Sequence, residues 1–271
     1  MIKIDNVRVF NFEGAIRGLR NPMNSWSKSD SLFGIGVFEQ WDADKSNTID
    51  KYIKNALGEA YETFIESDES GARYQEMYDM LDEWYNTNAT LDWDEYASTY
   101  FLMGYNDKQL AKRMVLAGAD EGKFARQILV SMDIEAPLLW WKEFDTYKVG
   151  TVANSCSTMH KIHSRDLVIE DFTAENFSEE TMDLFQKVID RINKLRVLYL
   201  ETKDKSYWRE MIDLLPESYM QKRTVTLNYQ NLRNMYFARR YHKLGEWHVF
   251  CEAIEKMPYA ADLICCEKEK K

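Results

Sequence analysis

The run from Arg126 to Lys148, RQILVSMDIEAPLLWWKEFDTYK, constrains this chain more than any other stretch. Ile128, Val130, Met132 and Ile134 stand on one side of its first half, and Ser131, Asp133 and Glu135 on the other. That is the two-residue period of a half-buried strand. Ala136-Pro137 then ends the ladder, because proline has no N–H to give and its fixed φ suits the first turn of a helix. LLWWKEFDTYK supplies that helix before Gly150. A strand with one apolar face, followed at once by an aromatic helix able to cover it, predicts an α+β protein.

The rest of the chain extends the pattern. Residues 2–11 read as a strand with Ile2, Ile4, Val7 and Val9 and a register break at Asn6. The stretch RNPMNSWSKSDS after it has turn chemistry, either a surface connection or a ligand-contacting loop. From Ile49 to Met103 aromatic and aliphatic residues recur at three- and four-residue steps, so residues 36–106 read as an acidic helical insertion. Lys108–Leu116 is a short helix stopped by Ala117-Gly118. Ser178 caps a long helix with Met182, Phe185, Val188, Ile189, Ile192 and Leu195 on one face, and Pro216 ends another. Residues 223–227 form a strand, Asn231 is the expected cap of the helix after it, and the last helix runs from Gly245 to Lys256. The expectation is one domain over residues 1–271, an antiparallel or mixed sheet flanked by helices.

Composition narrows the function. Apolar residues make up 45% of the 271, enough for a substantial core. A net charge of -10 argues against coating nucleic-acid phosphates, a task that needs clustered Lys and Arg. Residues 36–105 hold roughly 16 acidic side chains against 4 basic ones, so the remainder is close to neutral and open to an anionic small molecule. Four cysteines, Cys156, Cys251, Cys265 and Cys266, give no disulfide framework, and no apolar run has signal-peptide or membrane-spanning length. A reducing cytoplasm is the expected location, without a membrane partner.

Few motifs stand out. DADKSNTID from Asp42 imitates a calcium loop but has Asn47 where the turn wants Gly and Ile53 where a bidentate Glu should close the site, so a solvated acidic loop is the better reading. His160 and His163 lack a third ligand nearby, and Cys265-Cys266 reads as buried small residues at a helix end; no metal is expected. There is no phosphate-binding glycine loop, HExxH pair or Ser-His-Asp order.

Two stretches carry a resemblance. DIEAPLLWWKEFDTYKVGTVANSCST and LLPESYMQKRTVTLNYQNLRNMYFARRYHKLGEW, in their order and spacing, resemble the flavin-dependent thymidylate synthases, also called thymidylate synthase-complementing proteins. The likeness spans roughly residues 107–255 and leaves the acidic segment as an insertion. The family signature, Arg-His-Arg followed by Ser, Asn-Glu, Ser and Arg, falls on TYKVGTVANSCST and is mostly replaced. Thr146 and Tyr147 stand for Arg and His, Lys148 keeps the charge of the second Arg, and Thr151 keeps the first hydroxyl. Ala153-Asn154 stands for Asn-Glu, Cys156 for the second Ser and Thr158 for the last Arg. Arginine offers phosphate a planar fork of charged donors that Thr cannot imitate. Glu143 stands where the family usually has Gln and would repel a phosphate.

The resemblance implies a homotetramer binding FAD, with a pyrimidine nucleotide such as dUMP as methyl acceptor and NADPH and methylenetetrahydrofolate as co-substrates. It places Lys148, Thr151, Asn228, Asn234 and His242 on the flavin side, and Glu143, Cys156, Ser157 and Arg239 on the nucleotide side, with no catalytic residue assigned. Two readings stay open: a flavin-dependent methyl-transferring enzyme, or an altered or inactive nucleotide-binding or regulatory protein on the same fold. The sequence also leaves open which of Arg239 and Arg240 faces inward.

Overall fold

The computed structural model describes residues 2–34 and 100–268. The calcium-like run at Asp42 and nearly all of the acidic helical insertion lie outside them. The described residues group into two compact units. One takes in residues 2–10 and 129–257, and the other residues 11–34, 100–128 and 258–268.

The first unit is built on a four-stranded antiparallel sheet of β1 (Lys3–Phe10), β4 (Leu129–Pro137), β5 (Val152–Ser155) and β6 (Met220–Asn228), in the order β1-β4-β6-β5. The alternation in the sequence is realised in the β4–β6 register. Val130 lies opposite Leu227 and Met132 opposite Val225 on the buried face, while Asp133 lies opposite Thr224 on the open one. The register break expected at Asn6 is a bulge between Asp5 and Arg8, with Asn6 at φ 53. Asparagine tolerates that left-handed backbone better than most residues.

Pro137 closes β4 and leads into helix α3 (Leu138–Phe144). Trp140 and Phe144 are buried there against Trp247 and Phe250 of helix α8 (Gly245–Glu255), with the buried Trp141 ring edge-on to Trp140 and Phe144; the Trp140 and Trp247 ring centres are 4.8 Å apart. Trp141 donates its indole N–H to the Gln221 carbonyl, which ties the aromatic cluster to β6. Helix α5 (Glu179–Thr202), capped by Ser178 as expected, packs on helix α6 (Lys205–Leu214) around Ile189, Ile192, Leu195 and Met211.

The second unit holds helix α1 (Phe12–Arg20), a short ribbon of β2 (Leu32–Gly34) and β3 (Tyr100–Leu102), helix α2 (Tyr105–Ala117) and a last helical turn, α9 (Ala260–Leu263), beyond the helix that the sequence reading takes as final. Residues 126–128, expected as the start of a strand, are not in one: Arg126 and Gln127 end a 3-10 segment over Glu121–Gln127, Ile128 follows it, and β4 begins at Leu129. The loop RNPMNSWSKSDS folds back on a buried carboxylate. Asp107 accepts from the Arg20 guanidinium at 2.6 Å and from the Ser29 and Ser31 hydroxyls, and Asp30 caps α2 by accepting from the Asn106 and Asp107 N–H groups. In this structure the loop's polar residues serve the fold.

Among the described residues no helix is long and apolar enough to cross a membrane, and no three His, Cys, Asp or Glu side chains gather as a metal site would require.

Candidate functional site

The apolar side of α3 is consumed by the aromatic cluster, so Glu143 emerges at the edge of that cluster in the helix's last turn. There it meets the end of helix α7 (Tyr229–Arg239) and the start of α8. One carboxylate oxygen, Oε2, accepts from an Arg239 terminal nitrogen at 2.8 Å and from the Trp247 indole N–H at 2.9 Å, with His242 Nε2 at 3.4 Å. Arg239 Nε donates to the Tyr147 hydroxyl at 2.9 Å, and the guanidinium lies 4.8 Å from the centre of the Trp247 ring. His242 Nδ1 accepts from the Leu244 N–H, which leaves Nε2 as the proton-bearing nitrogen of the neutral ring. The side chains of Arg239, His242 and Glu143 are 18%, 24% and 33% exposed, so the cluster sits in a half-buried seat where charged hydrogen bonds are stronger than on open surface. Arg240 turns the other way, over Tyr236, Phe237 and Tyr241. Arg239 is therefore the inward arginine.

The connection from Asp145 to Thr151 is pinned at three places. Asp145 pairs with Arg223, which itself lies over the Trp141 ring; Tyr147 holds Arg239; and the Val149 carbonyl accepts from Asn231 Nδ2 at 2.6 Å. Gly150 makes the last contact feasible. Its φ is +75, and a Cβ there would stand 3.0 Å from Asn228 Nδ2 and from Asn231 Oδ1. The expected cap at Asn231 is corrected. Asn228 is the N-cap of α7, accepting from the Asn231 N–H at 3.0 Å, because Asn228 keeps the extended backbone that a cap needs. With its amide nitrogen on a carbonyl, Asn231 has Oδ1 buried without a hydrogen-bond partner, and so does the Thr151 hydroxyl. Buried oxygens in that state suit a ligand or water that brings donors to them.

The structure thus brings Glu143, Arg239 and His242 together with Tyr147 and Trp247, and sets Thr151 and Asn228 beside Gly150 and Asn231. It does not gather the rest. Lys148 is exposed; Asn234 is exposed and accepts from Gln230 Nε2 at 3.0 Å. Cys156 is exposed just past β5, with its backbone N–H on the Lys222 carbonyl and its carbonyl on Gln221 Nε2. Ser157 caps a short helical turn, α4 (Thr158–Lys161), by accepting from the His160 N–H. The sequence reading missed Trp247 and Asn231 as site residues. Only the indole N–H of an otherwise core tryptophan, and an asparagine three after another, hinted at them.

FAD is the cofactor that the sequence resemblance implies, and the residues present do not fit its diphosphate. Between Thr146 and Thr158 the only cation is Lys148, and Arg239 is already engaged by a carboxylate. Of the two unpartnered oxygens, the Asn231 amide oxygen can only accept and so suits a ligand N–H rather than a phosphate oxygen, while the Thr151 hydroxyl can donate or accept.

Among solved structures, the chain is similar to the flavin-dependent thymidylate synthase ThyX from Helicobacter pylori complexed with FAD and dUMP. The match has 16% identity and a TM-score of 0.47, covering 70% of this chain and 94% of that one. A second structure of thymidylate synthase X from Helicobacter pylori, also with FAD and dUMP, matches at 15% identity and a TM-score of 0.46, covering 69% and 89%. No protein-family model and no curated protein matches the sequence.

Proposed function

We propose that the chain binds a pyrimidine nucleoside or nucleotide on an arrangement like that of the flavin-dependent thymidylate synthases, without carrying out the flavin-dependent methyl transfer. The observation that carries this reading is the Glu143–Arg239 contact of 2.8 Å. Arg239, the arginine that the resemblance puts on the nucleotide phosphate, already has a carboxylate on it, and a phosphate would have to compete with that carboxylate for the same donors. The Tyr147 hydroxyl and the His242 ring remain beside it as hydrogen-bonding groups, and the buried oxygens of Thr151 and Asn231 lie unpartnered at the far end of the following loop. In this role the residues recognise and orient a ligand, and no hydride or one-carbon step runs through them.

The alternative is the enzyme itself, with FAD, dUMP, NADPH and methylenetetrahydrofolate. Retained Asn228, Asn234 and Arg239 support it. The two part on one assay: purified protein is incubated with FAD and the three co-substrates, followed by flavin absorbance and dTMP formation. No retained flavin band and no dTMP is the expected result. A retained band that dUMP perturbs, together with dTMP production, would replace the binding reading with the enzymatic one.

A further inference from the structure

The donors around Glu143 form a complete anion seat that is filled from within. One terminal N–H of Arg239 and the Trp247 indole N–H converge on one oxygen of a carboxylate belonging to the same chain, with His242 Nε2 3.4 Å from that oxygen. A carboxylate and a phosphate ask for the same charged donors, and planar guanidinium serves either. We infer that Glu143 is the specificity-determining residue of this site: as the seat's own anion it excludes phosphate groups and leaves the site to uncharged ligands such as a nucleoside or free base.

Several features favour this over a bland structural ion pair. The pair is half-buried and joins segments 96 residues apart in sequence. The rest of the fold does not depend on it for attachment, since α3 is already held by its tryptophans and the following loop by Asp145 on Arg223. The second oxygen, Oε1, has no partner among the described residues, so the carboxylate still offers an acceptor to a ligand N–H that a phosphate cannot supply. Charge is the decisive property. With Glu143 ionised, the Glu143–Arg239 pair sums to zero, and an incoming phosphate meets a fixed like charge a few ångströms away.

The inference rests on the nucleoside or nucleotide reading only for the identity of the ligand, and calorimetric titration with inorganic phosphate at low ionic strength tests it independently. Glu143→Gln keeps shape and removes charge. It is expected to bind phosphate at least tenfold more tightly than the native chain, and adding Arg239→Ala is expected to abolish that gain. Equal phosphate binding by the native chain and a folded Glu143→Gln variant would overturn the inference, as would a gain that survives loss of Arg239. If Glu143→Gln fails to fold by near-ultraviolet circular dichroism, the native chain still decides: phosphate binding that Arg239→Ala removes contradicts an already filled seat, and equally weak binding by both supports it. A phosphate gain in Glu143→Gln with no binding of deoxyuridine or dUMP by any form would leave the role of Glu143 standing and remove the nucleotide reading.

Discussion

Asp107 is fully buried and holds Arg20, itself only 6% exposed, through a 2.6 Å hydrogen bond from the guanidinium Nε. The other carboxylate oxygen takes the Ser31 N–H and two serine hydroxyls, so both lobes of the anion are satisfied away from water. Removing one partner strands a buried charge, a mechanism that costs about 3–5 kcal/mol. Asp107→Asn is expected to lower stability to urea by about that amount, with the denaturation midpoint as the readout. Replacing both Asp107 and Arg20 by apolar residues of similar volume is expected to cost much less than Asp107→Asn alone.

The open face of the four-stranded sheet carries a pH-dependent contribution at Asp133. Hydrogen bonds from the Thr224 hydroxyl first, then from Asn6 and Lys222, lower its carboxyl from the usual 3.8 to about 2. A depressed folded-state value means that the native chain gains stability once the unfolded carboxyl ionises. The contribution is therefore complete above about pH 4 and is lost as pH falls towards 2. Asp133→Asn should destabilise the protein by about 1–2 kcal/mol at pH 7, allowing for the open face of the sheet. The gap from the native chain should close between pH 4 and pH 2 in urea titrations across that range.

Gly150 is the residue on which the loop over α7 turns. Gly150→Ala forces a side chain onto a φ of +75 and to within 3.0 Å of two asparagine side chains. A loss of about 1–3 kcal/mol follows from the strained backbone. Because Val149 would be displaced from Asn231, amide hydrogen exchange in residues 146–151 is expected to speed up more than exchange in β6.

Much of this architecture was legible in the sequence because its signals are local. Period-two alternation marked β4, Pro137 marked the strand-to-helix switch, Ser178 marked a cap, and Asn6 marked a bulge. Where two local solutions compete, pattern alone does not choose. Asn228 and Asn231 both have the side chain of a cap, and the extended backbone inherited from β6 gives the role to Asn228. Arg239 and Arg240 are adjacent, and only the position of α8 with Trp247 makes Arg239 the inward one. The Glu143 seat was half visible: its negative charge was evident, but its partner across 96 residues is a product of tertiary packing. The strand start at 126–128 failed because apolar alternation continued back into a 3-10 segment that buries Phe124 and Ala125 for other reasons.

The measurement that tests the central claim most directly is calorimetric titration of the native protein with deoxyuridine and, separately, with dUMP, at matched pH and ionic strength. A site closed to phosphate and open to an uncharged pyrimidine nucleoside predicts saturable deoxyuridine binding with dUMP at least tenfold weaker, and Arg239→Ala leaving that order unchanged. Tighter binding of dUMP than of deoxyuridine, lost in Arg239→Ala, would contradict the account and return Arg239 to the role of a nucleotide-phosphate ligand.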